Sequence, residues 1–188
     1  MKIVYATYID NQAEIQYPIK FIESNVPELI VYCSDEKNRQ YLSGQGIDAK
    51  IIGIKINDPI DISIAQNKCI DDIFYDVDID FIVWVQADIH ITEQGYKIIR
   101  DFCTLDNLDR TCALGLLHIK LFHLCGYSYY GVNVIGRGSW ERIKFTGDGA
   151  YLGSGGADYC EADYNDATID IGYLTIEQCR NHIRQHKK

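Results

Sequence analysis

Short apolar runs rich in β-forming residues alternate with segments of helical periodicity along most of the chain. The runs have strand length, and the segments between them repeat apolar residues with the spacing of a helix that buries one face. The predicted strands are residues 2–8, 29–32, 49–56, 80–85, 113–121 and 129–135, with an antiparallel orientation left open for the last. The predicted helices cover residues 13–24, 34–42, 62–75, 92–102, 160–171 and 175–185. This order predicts an α/β fold, with a mostly parallel, Rossmann-like sheet sandwiched by helices.

Length and charge limit the size of the protein and the ligands it can bind. The chain has 188 residues, of which 47% are apolar, and no stretch has the composition of a linker, so we expect a single domain with a sizeable core. The formal net charge is −9, and an acidic surface repels nucleic acid phosphates. The composition therefore disfavours nucleic acid and favours a small molecule or a saccharide as ligand.

The cysteines and the N-terminus indicate a cellular location. Seven cysteines are present, without a Cys-x-x-Cys pair, and several lie within apolar runs, as reduced core cysteines do. The N-terminus lacks the long apolar stretch of a signal peptide, and no apolar run reaches the ~18 residues that span a bilayer. We therefore expect a cytoplasmic protein without a transmembrane segment.

A polar motif follows the apolar run 80–85. Gln86, Asp88 and His90 alternate directly after this predicted strand, and ligands bind at the carboxyl ends of the strands in a parallel sheet. Asp and His are both good ligands for a divalent metal ion, so the motif can form part of a metal site. The alternative is a polar loop that ends the strand and starts the next helix.

An acidic cluster occurs later, at Asp158, Glu161 and Asp163. On a helix, Asp158 and Glu161 share a face, where their charges repel unless a cation or a substrate lies between them. A buried member of the cluster would have a raised pKa and could act as a general base. The alternative is a solvated acidic turn at the start of a helix, which the helix dipole favours.

Taken in order, these segments resemble the family 2-like inverting glycosyltransferases of GT-A fold. The resemblance is carried by residues 65–70 (Ala-Gln-Asn-Lys-Cys-Ile), residues 81–88, which end in the position of the family's Asp-x-Asp motif, and residues 160–164, followed by Ile-Gly-Tyr at 171–173. It covers most of the chain. It implies that residues 1–110 form the nucleotide-sugar-binding half of the domain and residues 111–188 the acceptor-side half.

The resemblance also implies a set of nucleotide-binding residues. Thr7 and Tyr8, after the first strand, would contact the nucleotide. Asp35 would hydrogen-bond the base, which is commonly uracil in this family, and Asn67 would lie near the ribose. The pair Gln86–Ala87, at the start of the family's metal motif, belongs to the same set.

The chemical roles implied by the resemblance fall on the two polar clusters. Asp88 would bind Mn²⁺ or Mg²⁺ at the diphosphate, with His90 as a helper, and a late histidine of the family, here His182, would complete the metal site. Glu161 matches the base that deprotonates the acceptor, and Asp158 and Asp163 are alternatives for that role. His182 can equally be an exposed histidine on a terminal helix.

The implied function is the transfer of a sugar from a UDP- or GDP-sugar to a hydroxyl of a saccharide or other acceptor, with inversion and a metal ion. Gln86 replaces the first Asp of the family motif, which keeps open a non-catalytic nucleotide- or sugar-binding protein of transferase descent. A nucleotidyltransferase is a further alternative, although residues 8–11 (Tyr-Ile-Asp-Asn) replace its glycine-rich basic loop. The tyrosine-rich segment 127–130 could serve as an acceptor platform or as the contact of a homodimer.

Overall fold

The computed structural model describes residues 1–10, 28–57, 59–85, 91, 93–115, 130–140 and 169–170. Its strands are β1 (Ile3–Ile9), β2 (Leu29–Cys33), β3 (Ala49–Ile51), β4 (Phe81–Val85), β5 (Thr111–Gly115), β6 (Tyr130–Gly136) and β7 (Ile169–Asp170). Its helices are α1 (Glu36–Gly44), α2 (Pro59–Phe74), α3 (Glu93–Phe102) and the short α4 (Arg137–Trp140), with a 3₁₀ turn at Leu105–Asn107. Among the described residues, none of these helices has the length and apolar character that a membrane span requires.

The strands form one sheet in the order β3-β2-β1-β4-β6-β5-β7. β1 pairs in parallel with β2 and β4, β2 with β3, and β5 with β7, whereas β6 is antiparallel to both β4 and β5. Every strand except β6 therefore runs in the same direction. The predicted mostly parallel α/β sheet with helices packed against it is confirmed, and the orientation of the strand predicted at 129–135 is antiparallel.

β4 is the centre of the core. All of its residues are buried, as the continuous apolar run predicted, because β1 and β6 flank it and helices cover its faces. On one face, Trp84 packs in a cluster with Ile70 of α2 and Trp140 of α4. On the other face, α1 packs against the ends of β1 and β2, and the Phe102 ring of α3 lies edge-on to Phe81 at 6.3 Å between ring centroids.

Several boundaries differ from those predicted. The strand predicted for 49–56 ends at Ile51, because Gly53 takes a backbone φ of 75° and turns the chain out of the sheet. The following helix begins at Pro59 rather than at residue 62, since proline fits the first turn of a helix. Within the helix predicted for 160–171, residues 169–170 form β7, whose backbone pairs with β5 instead. The predicted helices 13–24 and 175–185 lie outside the described residues.

A buried tyrosine ties the sheet to α2. The Tyr32 hydroxyl donates to Asp72 Oδ2 at 2.6 Å, and Lys50 Nζ donates to the same oxygen at 3.1 Å. Burial, followed by the hydrogen bond to Asp72, raises the pKa of Tyr32. The same hydrogen bond, helped by Lys50, lowers the pKa of Asp72. The cluster therefore favours an ionised Asp72 and a protonated Tyr32 at neutral pH.

We expect Asp72→Asn to lower the free energy of unfolding at neutral pH and to have a smaller effect in acid. The pKa of Asp72 is lower in the folded chain than the unfolded value of about 3.9, so its contribution is present above that value and is lost as the pH falls through the folded pKa. Urea denaturation of both proteins across this range measures the effect. The exposed Asp48→Asn is the control, and a loss with Asp72→Asn that is the same at every pH would contradict the interpretation.

Candidate functional site

The carboxyl ends of β1, β2 and β3 lie side by side, and the residues after them line an open pocket of about 380 Å³. This volume lies in the range of small-molecule sites, and this edge of a parallel sheet is where ligands bind. The pocket is lined by Asp10, Asp35, Lys37, Asn38, Lys55, Ile56 and Asn57. The sequence therefore brings together the polar residues that follow three separate strands.

The first turn of α1 forms one side of this pocket. Asp35 is the N-cap of the helix, and its Oδ1 accepts from the Asn38 backbone N–H at 2.9 Å, as capping aspartates do. The buried Asn38 side chain donates to the Asp10 carbonyl oxygen at 3.0 Å and to Ser34 Oγ at 2.8 Å. These bonds connect the ends of β1 and β2 to α1, so the pocket side is fixed before a ligand binds.

The loop of residues 52–57 forms the opposite side. Its Ile52 N–H donates to the Cys33 carbonyl oxygen at 2.9 Å, and the Ile54 carbonyl oxygen accepts from the Tyr8 hydroxyl. Further along, the Ile56 N–H donates to Asp10 Oδ2 at 2.9 Å. Because hydrogen bonds hold this loop at every second residue, it is a rigid wall of the pocket.

Charges of both signs meet in the pocket. Lys55 Nζ lies 3.1 Å from Asp35 Oδ2, and the Lys55 side chain is 66% exposed. The hydrogen bond from the Asn38 backbone, followed by that from Lys55, lowers the pKa of Asp35, so this carboxylate is ionised at neutral pH. An ionised carboxylate offers about four lone-pair positions, which leaves acceptor capacity for a ligand N–H. Beside it, the exposed ammonium of Lys55 is a donor.

The other predicted nucleotide contacts within the described residues lie deeper in the domain. Thr7 is 1% exposed, and its Oγ1 has no hydrogen-bond partner among the described residues. The Tyr8 hydroxyl lies beneath the 52–57 loop, and burial raises its pKa, so it is a neutral donor. Asn67 is half-buried on α2. Of these predicted contacts, only Asp35 lines the pocket itself. The roles of Thr7, Tyr8, Asp35 and Asn67 in binding a nucleotide stay predictions.

The residues predicted to carry the chemistry lie outside the described part of the chain. They are Gln86, Ala87, Asp88, His90, Asp158, Glu161, Asp163 and His182. The strand that leads to the first four is described: β4 ends at Val85, between β1 and β6, with its carboxyl end at the same edge as the pocket. Within the described ranges, no group of three or more His, Cys, Asp or Glu side chains could hold a metal ion. The metal and base assignments therefore stay predictions.

Sequence reasoning did not identify Asn38, Lys55 and Asn57 as site residues. The segment 49–56 was predicted as a continuous strand, in which Lys55 would have been an ordinary surface residue. Gly53 was the signal for a loop, since a glycine inside a strand pattern often marks a bend. Asn38 lies on α1, and its hydrogen bond to the Asp10 carbonyl oxygen joins residues 28 positions apart in sequence, which no local pattern shows.

The chain is similar to known proteins in its fold but not in its sequence. No protein-family model matches the sequence, and no curated protein gives a significant match to it. Among solved structures, CMP:2-keto-3-deoxy-manno-octonic acid synthetase complexed with CTP matches with a TM-score of 0.50 and 11% identity, over 76% of this chain and 77% of that chain. A protein assigned as a glucose-1-phosphate thymidylyltransferase from Bacillus anthracis, in complex with sucrose, matches with a TM-score of 0.51 and 11% identity, over 99% of this chain and 96% of that chain.

A glycosyltransferase involved in the glycosylation of the major capsid of PBCV-1 gives a TM-score of 0.44 at 13% identity, over 76% of this chain and 63% of that chain. The family 2 resemblance stays a prediction, because identities at this level show the fold and no more. The chain shares its Rossmann-like α/β fold with the synthetase and the thymidylyltransferase, whose TM-scores are 0.50 and 0.51.

Proposed function

We propose that the protein is a glycosyltransferase that takes a sugar from a nucleotide-diphosphate sugar and transfers it to an acceptor hydroxyl. The observation that carries the proposal is the pocket formed by the ends of β1, β2 and β3, in which the Asp35 carboxylate lies beside Lys55. A carboxylate accepts from the ring N–H of a base such as uracil, and a neighbouring ammonium donates to a base carbonyl. The base would bind in this pocket, and the diphosphate would extend along the sheet edge toward the end of β4.

A nucleotidyltransferase is the second candidate, and one observation favours it. Of the two structures named above with a TM-score of at least 0.50, one carries the name of a thymidylyltransferase and the other, a CMP:2-keto-3-deoxy-manno-octonic acid synthetase, was solved with CTP. The end of β1 argues against it here. Residues 8–11 (Tyr-Ile-Asp-Asn) stand where that class has a glycine-rich basic loop, so this segment supplies a carboxylate, Asp10, and no cation to a triphosphate.

The chemical step is assigned to residues outside the described part of the chain. Asp88, with His90 and His182, would hold Mn²⁺ or Mg²⁺, which when bound offsets the negative charge that develops on the leaving diphosphate. Glu161, or alternatively Asp158 or Asp163, would accept the proton of the attacking hydroxyl. Gln86 would contribute only a neutral oxygen. The order of these residues in the chain supports the assignment.

Thermal unfolding with a ligand panel tests the proposal. We expect UDP- or GDP-sugars with Mn²⁺ to raise the melting temperature, because a ligand that binds only the folded state at 100 times its Kd adds about 2.7 kcal/mol to the free energy of unfolding. CTP and dTTP should give a smaller rise. A larger rise with the triphosphates would favour the nucleotidyltransferase, and no rise with any nucleotide would exclude both transferases.

Asp35→Asn tests the base pocket without unfolding α1. Asparagine is as good an N-cap as aspartate, so the helix should remain, whereas the charge that accepts from the base is lost. We expect binding of the preferred nucleotide to weaken by about 10-fold to 100-fold, since a hydrogen bond to a charged group contributes roughly 1.5–3 kcal/mol. Asp48→Asn, at an exposed aspartate outside the pocket, is the matched control. Equal affinities for both variants would remove Asp35 from the site.

Two further variants separate binding from catalysis. Asp88→Asn should abolish the dependence of nucleotide-sugar binding on Mn²⁺, and Glu161→Gln should leave binding intact while turnover falls by about 100-fold or more, the usual range for loss of a general base. Binding without turnover in the unmodified chain would point instead to a non-catalytic nucleotide- or sugar-binding protein. Full turnover in Glu161→Gln would move the base role to Asp158 or Asp163.

A further inference from the structure

Two buried side-chain amides have a carbonyl oxygen that accepts no hydrogen bond from any described residue. They are Gln66 on α2, which is 4% exposed, and Asn133 on β6, which is 1% exposed. In folded proteins nearly all buried polar atoms have partners, because an unsatisfied buried acceptor costs roughly 1–3 kcal/mol. An unsatisfied pair in the core therefore needs an explanation beyond packing.

Gln66 is a polar side chain on a helix face whose other described buried residues are apolar: Ala65, Cys69, Ile70, Ile73 and Phe74. Ile70, one turn later on the same face, packs in the core cluster against the sheet. The helix runs from the carboxyl edge of the sheet, where Lys68 Nζ donates to the Ile52 carbonyl oxygen just after β3, to the opposite edge, where Arg137 binds the Phe74 carbonyl oxygen. Gln66 thus lies closer to the ligand-binding edge than Ile70 does.

Asn133 lies on the face of the sheet that packs against α2. It stands directly opposite Trp84 in the ladder between β4 and β6, and side chains of opposed residues share one face of a sheet. Trp84 packs in the same cluster as Ile70 of α2, so Asn133 belongs to the α2 side of the sheet. Because Trp84 is the penultimate residue of β4, Asn133 is near the carboxyl end of that strand.

Asn133 and the pocket of Asp35 are separated by three strand spacings along the edge of the sheet. From β2 through β1 and β4 to β6 there are three steps between neighbouring strands, each of about 4.8 Å, or about 14 Å in total. A nucleotide whose base lies in the pocket would extend its diphosphate and sugar in this direction. Neutral amide oxygens repel phosphate oxygens but accept from hydroxyl groups, so their chemistry fits the sugar end of such a ligand.

We propose that Gln66 and Asn133 form the subsite that binds hydroxyl groups of the transferred sugar, with both amide oxygens as acceptors. The inference rests on the proposed function and adds the residues that recognise the sugar. The two acceptor oxygens have no described protein partner because their partners are hydroxyl groups of the sugar, which donate to them when the ligand binds.

The test compares UDP with UDP-glucose and UDP-N-acetylglucosamine, and GDP with GDP-mannose, for the unmodified chain and for Gln66→Met and Asn133→Leu. Both changes remove the unsatisfied oxygen and replace the amide by an apolar side chain of similar length, and urea denaturation without ligand establishes that each variant is folded before affinities are compared. Affinity for the free nucleotide should be unchanged. The additional affinity that the sugar provides should fall about 3- to 10-fold in each variant. Gln40→Met, at an exposed amide of α1, is the control.

Other outcomes distinguish this inference from the proposed function. If the sugar's contribution is the same in the variants as in the unmodified chain, the inference is wrong while the proposed function stands. If a variant loses as much affinity for the free nucleotide as for the nucleotide sugar, the inference is also overturned, since the amide would then act through the fold and not on the sugar. If the unmodified chain binds none of the five nucleotides, both the proposed function and this inference fail.

Discussion

Trp84→Ala is expected to lower the free energy of unfolding by about 3–5 kcal/mol, the usual cost of removing a large aromatic side chain from a core. Trp84 is 1% exposed and packs against α2 from the centre of the sheet, between β1 and β6. The cavity left by alanine cannot be closed by a movement of β4, because both neighbouring strands are hydrogen-bonded to it. Since single domains are stable by only about 5–15 kcal/mol, this change would remove a large part of the total.

Urea denaturation measures this effect, with Tyr75→Ala as the matched control. Tyr75 is also aromatic but 90% exposed, and a surface change of this kind usually stays within about 0.5 kcal/mol. A midpoint that falls in Trp84→Ala at an unchanged slope would confirm the lost packing. Similar midpoints for the two variants would mean that Trp84 does not contribute to the core as described.

Arg137→Met is expected to cost about 2–4 kcal/mol, because one guanidinium holds the chain between α2 and β4. Its Nε donates to the Ile79 carbonyl oxygen at 2.7 Å, and its two terminal nitrogens donate to the carbonyl oxygens of Phe74, at 2.9 Å, and Asp76. Its guanidinium carbon also lies 4.8 Å from the centre of the Phe74 ring. The last carbonyls of a helix have no partner within the helix, and a cation there complements the helix dipole.

Arg137→Lys should recover only a small part of this loss. A lysine supplies the charge but not the planar set of donors that reaches three carbonyl oxygens. Arg39→Met is the control: Arg39 forms two hydrogen bonds with Glu36 on the exposed face of α1, where such pairs contribute little. Thermal unfolding of the three variants ranks them. A loss in Arg39→Met as large as that in Arg137→Met would contradict the interpretation.

Much of the sheet could be predicted from local pattern. The strands at 2–8, 29–32 and 80–85 are present within one residue or so of their predicted limits, because short apolar runs between polar breaks leave few other conformations. The α/β class followed from the alternation of strands and helices. The short helix after β6 and the 3₁₀ turn before β5 were not predicted, since their few residues carry no periodicity.

The close approach of the chain at Gly136 shows a constraint that the sequence does not display. A Cβ atom at this position would lie 2.3 Å from the Leu108 carbonyl oxygen, so the backbone before β5 passes directly against the end of β6. Gly44, by contrast, has open space around the position of a Cβ atom. The two glycines look alike in the sequence, and only their tertiary surroundings distinguish a required glycine from a replaceable one.

By itself, the sequence determined the fold class, the central buried strand and the edge of the sheet at which polar residues collect, because hydrophobic periodicity is a local property of the chain. The tertiary structure decided which of those residues share a pocket. Lys55 approaches Asp35, and Asn38 reaches Asp10, only because three parallel strands end side by side and Gly53 turns the chain back toward them. Contacts between residues distant in sequence depend on strand order and register, and no local pattern specifies them.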